Sequence, residues 1–108
     1  MTERFITPCD LPTPHERELL TILVEECAEI QQRATKALRF GLAEIQPGQH
    51  FTNKFRLGSE IGDLMEVIQR CLAAQVVRET AIKQGRVHKR AQLDKYMQTQ
   101  PQFRGERS

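Results

Sequence analysis

The stretch Leu23–Gly41, "LVEECAEIQQRATKALRFG", repeats apolar residues at helical spacing and sets Glu25, Glu26 and Glu29 beside them. Just upstream, "TPHE" (Thr13–Glu16) supplies a helix start. Thr13 can cap, Pro14 suits the first helical position, and Glu16 completes a capping box. The apolar series Leu19, Leu23, Cys27, Ile30, Ala34, Ala37 runs on to Phe40, and Gly41 is a C-terminal stop. A first helix is therefore predicted over residues 14–40, after an irregular, proline-bearing arm over residues 1–12.

Working outward, "LAEIQPGQHFTN" (Leu42–Asn53) reads as a loop broken at Pro47-Gly48. Thr52 or Asn53 can cap a second helix, whose stripe is Leu57, Ile61, Leu64, Ile68, Cys71 and Leu72 and fades near Ala74. Gly58 and Gly62 each weaken that helix by roughly 1 kcal/mol relative to alanine, unless a neighbour approaches closely there. A third helix is predicted over residues 78–98, and residues 99–108 form a frayed tail. The fold class is all-α, in one domain over residues 1–108. Three long amphipathic helices leave apolar surface uncovered, whereas a bundle normally closes with four. Antiparallel helices completed by a homodimer or homotetramer are the expected architecture.

Composition narrows the function classes. A net charge of +2, no tryptophan and the single tyrosine Tyr96 give neither a strong basic patch nor a stacking platform for nucleic acid. No apolar run is long enough to span a membrane, and "MTERFITPCDLPTP" lacks the pattern of a signal peptide. The three cysteines form no CxxC pair, so a cytoplasmic protein with reduced thiols is expected, Cys27 and Cys71 lying in the core. His15, His50 and His88 share no ligand-like spacing.

The acids of the opening stretch have a counterpart. At about 100° per residue, Glu26 and Glu29 lie roughly 60° and 120° to one side of the stripe, while Glu25 points away from it. In "LGSEIGDLMEVI" (Leu57–Ile68), aligning Leu57 with Leu23 puts Glu60 in the place of Glu26 and Asp63 in that of Glu29. If the two helices pack antiparallel about a local two-fold axis, equivalent flanks lie on one side, and Glu26, Glu29, Glu60 and Asp63 converge. Like charges that close raise one another's pKa until a proton or a cation intervenes. Hard carboxylate oxygens select Mg²⁺, or Mn²⁺. A ferritin-like di-iron site would need a Glu-x-x-His step that neither pair has.

"EECAE" followed by "EIGD" resembles the EExxE…ExxD signature of the MazG-like superfamily of all-α nucleoside triphosphate pyrophosphohydrolases, over residues 19–97. The resemblance implies a helical-bundle oligomer that uses Mg²⁺ to split a nucleoside triphosphate, ribo or deoxy, into the monophosphate and pyrophosphate. It makes Glu26, Glu29, Glu60 and Asp63 the metal ligands and catalytic residues. It implies in-line attack on the α-phosphorus by a water whose pKa the metal lowers, with a carboxylate such as Glu29 taking the proton. The sequence departs from the family in two places. Thirty residues separate Glu29 from Glu60, which lengthens the loop, and "QLDKY" stands where many relatives have Asn-x-x-Lys-Tyr.

Triphosphate needs cations besides the metal. Arg33 and Lys36 follow Glu29 along its flank, as phosphate contacts or as partners in i,i+4 ion pairs. On the third helix Lys89 is a phosphate candidate or a snorkelling stem, and Gln92 stands where the family has asparagine. Phe40, Phe51 and Phe55 read as core rather than base-stacking residues, and Asn53 as a cap rather than a base contact. Two other functions fit the same residues. One is a non-catalytic interaction module with a structural metal; the other is a nucleic-acid-binding protein with a basic third helix, which the acidic cluster would oppose.

Overall fold

The computed structural model describes residues 10–101. Most of the arm expected over residues 1–12, with Cys9, and most of the tail expected over 99–108 lie outside them. Among the described residues the protein is all-helical, with α1 (Pro14–Phe40), α2 (Asn53–Ala73), α3 (Glu79–Tyr96) and no strand. Among the described residues no helix is long and apolar enough to cross a membrane. The chain divides into two compact units, one ending at Val76 and the other beginning at Val77.

The first unit is the α1–α2 hairpin. The capping box forms as expected, with Thr13 N donating to Glu16 Oε1 at 2.8 Å and Glu16 N to Thr13 Oγ1 at 3.2 Å. Gly41, at φ +95°, ends α1 in a conformation that side chains rarely adopt. The connection then turns over Gln46-Pro47-Gly48-Gln49, where Gln49 N donates to Gln46 O at 3.0 Å and Gly48 takes φ +81°. Proline followed by a positive-φ glycine is the signature of a type II turn. Asn53 N and Lys54 N close the loop by donating to Glu44 O and Leu42 O, both at 2.9 Å.

Thr52 caps α2, its Oγ1 accepting from Phe55 N at 3.1 Å. At the other end Gln75 N donates to Leu72 O at 3.0 Å and Val76 N to Cys71 O at 2.9 Å. That pair of bonds is a Schellman motif, closed here by Gln75 at φ +60° where glycine is usual. No glycine marks this boundary in the sequence; the fading apolar stripe does.

The helices run antiparallel, because the first turns of α1, at Thr13–Ile22, share a groove with Arg70, Ala73 and Ala74 of α2. The packing is shallow. Leu19 and Cys71 are the buried apolar side chains among the described residues, while Val24, Leu38 and Met65 are 68%, 87% and 62% exposed.

Three expectations change, and one open alternative is narrowed. Cys27 is exposed rather than core, because one partner helix covers only part of a stripe wider than about 100°; its counterpart Ile61 is exposed with it. Phe40, Phe51 and Phe55 are exposed, not core, and Phe51 and Phe55 stack with ring centroids 4.4 Å apart. Asn53 does not act as the cap but is buried, donating through Nδ2 to Gly41 O at 2.9 Å and to Glu44 Oε1 at 3.1 Å. A Cβ at Gly58 or Gly62 would meet nothing within 4 Å, so neither glycine marks a close approach in this chain.

The second unit contains α3. Ile82 is half-buried, while Val87, Leu93 and Tyr96 are exposed. Its first turn carries an exposed i,i+4 pair, Lys83 Nζ to Glu79 Oε1 at 3.4 Å.

Candidate metal centre

Antiparallel packing sets Glu26 and Glu29 of α1 against Glu60 and Asp63 of α2. One carboxylate oxygen from each lies within 4.8 Å of the others. Glu26 and Glu60 are half-buried and form the inner pair, while Glu29 and Asp63 are exposed at the rim. Glu25 is exposed, as its position on the helix predicts.

The electrostatics follow from this crowding. Glu60 has its pKa pushed up from 4.5 to about 7. The largest cause is a side-chain hydrogen bond with Glu29, followed by burial and by the charges of Glu29, Asp63 and Glu26. Two carboxylates can share a hydrogen bond only if one holds a proton. Glu26 is raised too, by burial first and then by Glu29, Asp63 and Glu25. One oxygen of each inner residue, Glu26 Oε2 and Glu60 Oε2, is enclosed and has no hydrogen-bond partner. An enclosed oxygen without a partner loses hydration for nothing in return. Four carboxylates converging in this way could hold a metal ion through hard oxygen donors. Glu26, Glu29, Glu60 and Asp63 are the residues that would hold it.

The other candidates distribute differently. Arg33 is buried and makes no ion pair with Glu29; its Nη1 reaches Gln46 Oε1 at 3.4 Å. Lys36 is half-buried with Nζ 5.7 Å above the Phe40 ring. Lys89 and Gln92 are exposed on α3, within the second unit. Two further polar residues, Gln46 and Arg56, join the first unit unforeseen. Arg56 Nη1 donates to the same Gln46 Oε1 at 2.7 Å. A signal for the arginine was present: Arg56 stands one turn before Glu60, as Arg33 stands one turn after Glu29, so antiparallel pairing of the acids also pairs the arginines.

Compared with known proteins, the chain matches no family model, no curated protein and no solved structure.

Proposed function

We propose that this chain is a Mg²⁺-dependent nucleoside triphosphate pyrophosphohydrolase that yields the monophosphate and pyrophosphate, as its resemblance to the MazG-like superfamily implies. The observation that carries this reading is the four-carboxylate cluster, with its oxygens within 4.8 Å of one another and two inner oxygens enclosed without partners. A solvated acidic helix face would leave both oxygens hydrated.

A divalent cation bound there would neutralise triphosphate charge and lower the pKa of a water. Glu26 and Glu60 anchor the site from inside the hairpin. Glu29 and Asp63, at the rim, face the incoming nucleotide, and Glu29 is the residue that accepts the proton of the attacking water. The triphosphate enters with its α-phosphorus toward that rim. The same reading includes a homodimer or homotetramer, in which a second copy covers the apolar faces around Val24, Leu38 and Met65 that this hairpin leaves exposed. Lys36, half-buried on α1, remains its further nucleotide contact in the first unit.

Pyrophosphate release, measured across ribo- and deoxynucleoside triphosphates with and without Mg²⁺ or Mn²⁺, tests the proposal. Metal-dependent release from at least one nucleotide is the expected result. Stabilisation by the cation without release from any nucleotide would instead assign the cluster to a structural metal in a non-catalytic module.

A further inference from the structure

Arg33 and Arg56 converge on a single neutral atom. Gln46 Oε1 accepts from Arg56 Nη1 at 2.7 Å and from Arg33 Nη1 at 3.4 Å. Arginine stays protonated in proteins. Two guanidinium charges therefore share an acceptor that carries no charge. Among the described residues neither arginine has a carboxylate within 4.0 Å; the ion pairs there are Arg70–Glu66 and Lys83–Glu79. Arg33 is only 9% exposed, so little water screens it. The enclosed side-chain atoms without partners are Glu26 Oε2, Asn53 Oδ1 and Glu60 Oε2. No guanidinium nitrogen is among them, so each one either has a hydrogen-bond partner or is not fully enclosed.

Position gives the pair its meaning. Arg33 follows Glu29 by four residues on α1, and Arg56 precedes Glu60 by four on α2. Because the helices are antiparallel, both steps run the same way, toward the loop, by about 6 Å. A pair of cations thus lies one turn beyond the carboxylates along the same seam. Planar guanidiniums with several donors each suit a phosphoryl oxyanion better than any neutral ligand.

We infer that Arg33 and Arg56 form a phosphate-binding site one helical turn from the carboxylate cluster, in which Gln46 holds the arginines together until the anion displaces its amide. The identity of the anion, the polyphosphate tail of a nucleotide, rests on the function proposed above; the site itself does not.

Calorimetric titration of inorganic pyrophosphate into the full chain, with Mg²⁺ and separately with excess chelator, tests the site. Wild type should bind in Mg²⁺, and Arg56→Gln should weaken binding by about tenfold or more, the loss of a charge-assisted contact. Arg70→Gln, which removes an exposed arginine elsewhere on α2, should not change the affinity. Gln46→Glu places a carboxylate between the two guanidiniums, so it should raise the melting temperature and suppress pyrophosphate binding. Gln46→Ala should keep or tighten binding. Absence of pyrophosphate binding by wild type, or an affinity in Arg56→Gln within about twofold of wild type, would overturn the inference. Arginine-dependent pyrophosphate binding by a protein that cleaves no nucleotide would leave this site standing and remove the hydrolase reading. Cleavage by Arg56→Gln with an unchanged KM would do the reverse.

Discussion

Replacing Glu60 with glutamine should stabilise the metal-free protein at about pH 8 and have little effect below pH 4.5. In the folded chain Glu60 holds its proton up to about pH 7, against 4.5 for an ordinary glutamate. Between those values the native state binds a proton that the unfolded state has released, so stability falls as pH rises through that window and stays low above it. Carried in full, a shift of that size corresponds to roughly 3 kcal/mol; water at the half-exposed cluster reduces it to about 1 kcal/mol. The introduced amide would still donate a hydrogen bond to Glu29 but would never ionise, so the variant escapes the loss. For a domain of this size about 1 kcal/mol is a rise of about 4–8 °C in Tm. Thermal denaturation of wild type and Glu60→Gln in chelator, from pH 4 to pH 8, reads this directly. Added Mg²⁺ should reverse the ranking at pH 8, because a cation that binds only the folded state stabilises wild type and the variant has lost a ligand. A variant less stable than wild type at pH 8 in chelator, or a difference that does not change with pH, would refute the electrostatic account of the cluster.

Three further outcomes are expected. Glu29→Gln and Asp63→Asn should each lower pyrophosphate release by orders of magnitude, since metal clamping supplies several kcal/mol of transition-state stabilisation. Glu25→Gln, exposed beside the cluster, and Glu66→Gln, whose partner is Arg70 at 3.7 Å, should stay near wild type in the same assay; loss of activity in Glu66→Gln alone would place the chemistry elsewhere. Sedimentation at micromolar concentration should give a dimer or larger species, and a stable 12.5 kDa monomer would leave the exposed apolar faces without a role. Gln75→Gly should raise stability by up to about 1 kcal/mol in a denaturant titration, because Gln75 holds φ +60°, a conformation costly to any residue with a Cβ.

Helical order was written locally and could be read there. The Thr13–Glu16 capping box, the stop at Gly41 and the 3.6-residue apolar rhythm act over a few residues, so the ends of α1 follow from neighbours in the chain. The acidic cluster was legible for a related reason. Glu26 and Glu29 on one helix and Glu60 and Asp63 on the other hold the same place relative to the apolar stripe, and the stripe dictates which flanks meet. What only the tertiary structure decided was how deep the packing goes and which polar groups the loop gathers. A two-helix hairpin covers one side of a broad stripe, so Cys27 and Ile61 stay outside although their spacing marks them as core. Asn53 is drawn off the capping role because folding of the Leu42–Phe51 connection brings Gly41 O and Glu44 Oε1 within its reach. Arg33 and Arg56 meet across Gln46, a residue in no motif and of no periodicity, because its position depends on the path of the backbone through Pro47 and Gly48. Periodicity reports which face of a helix is apolar; the geometry of the connection determines what is brought against the remaining faces.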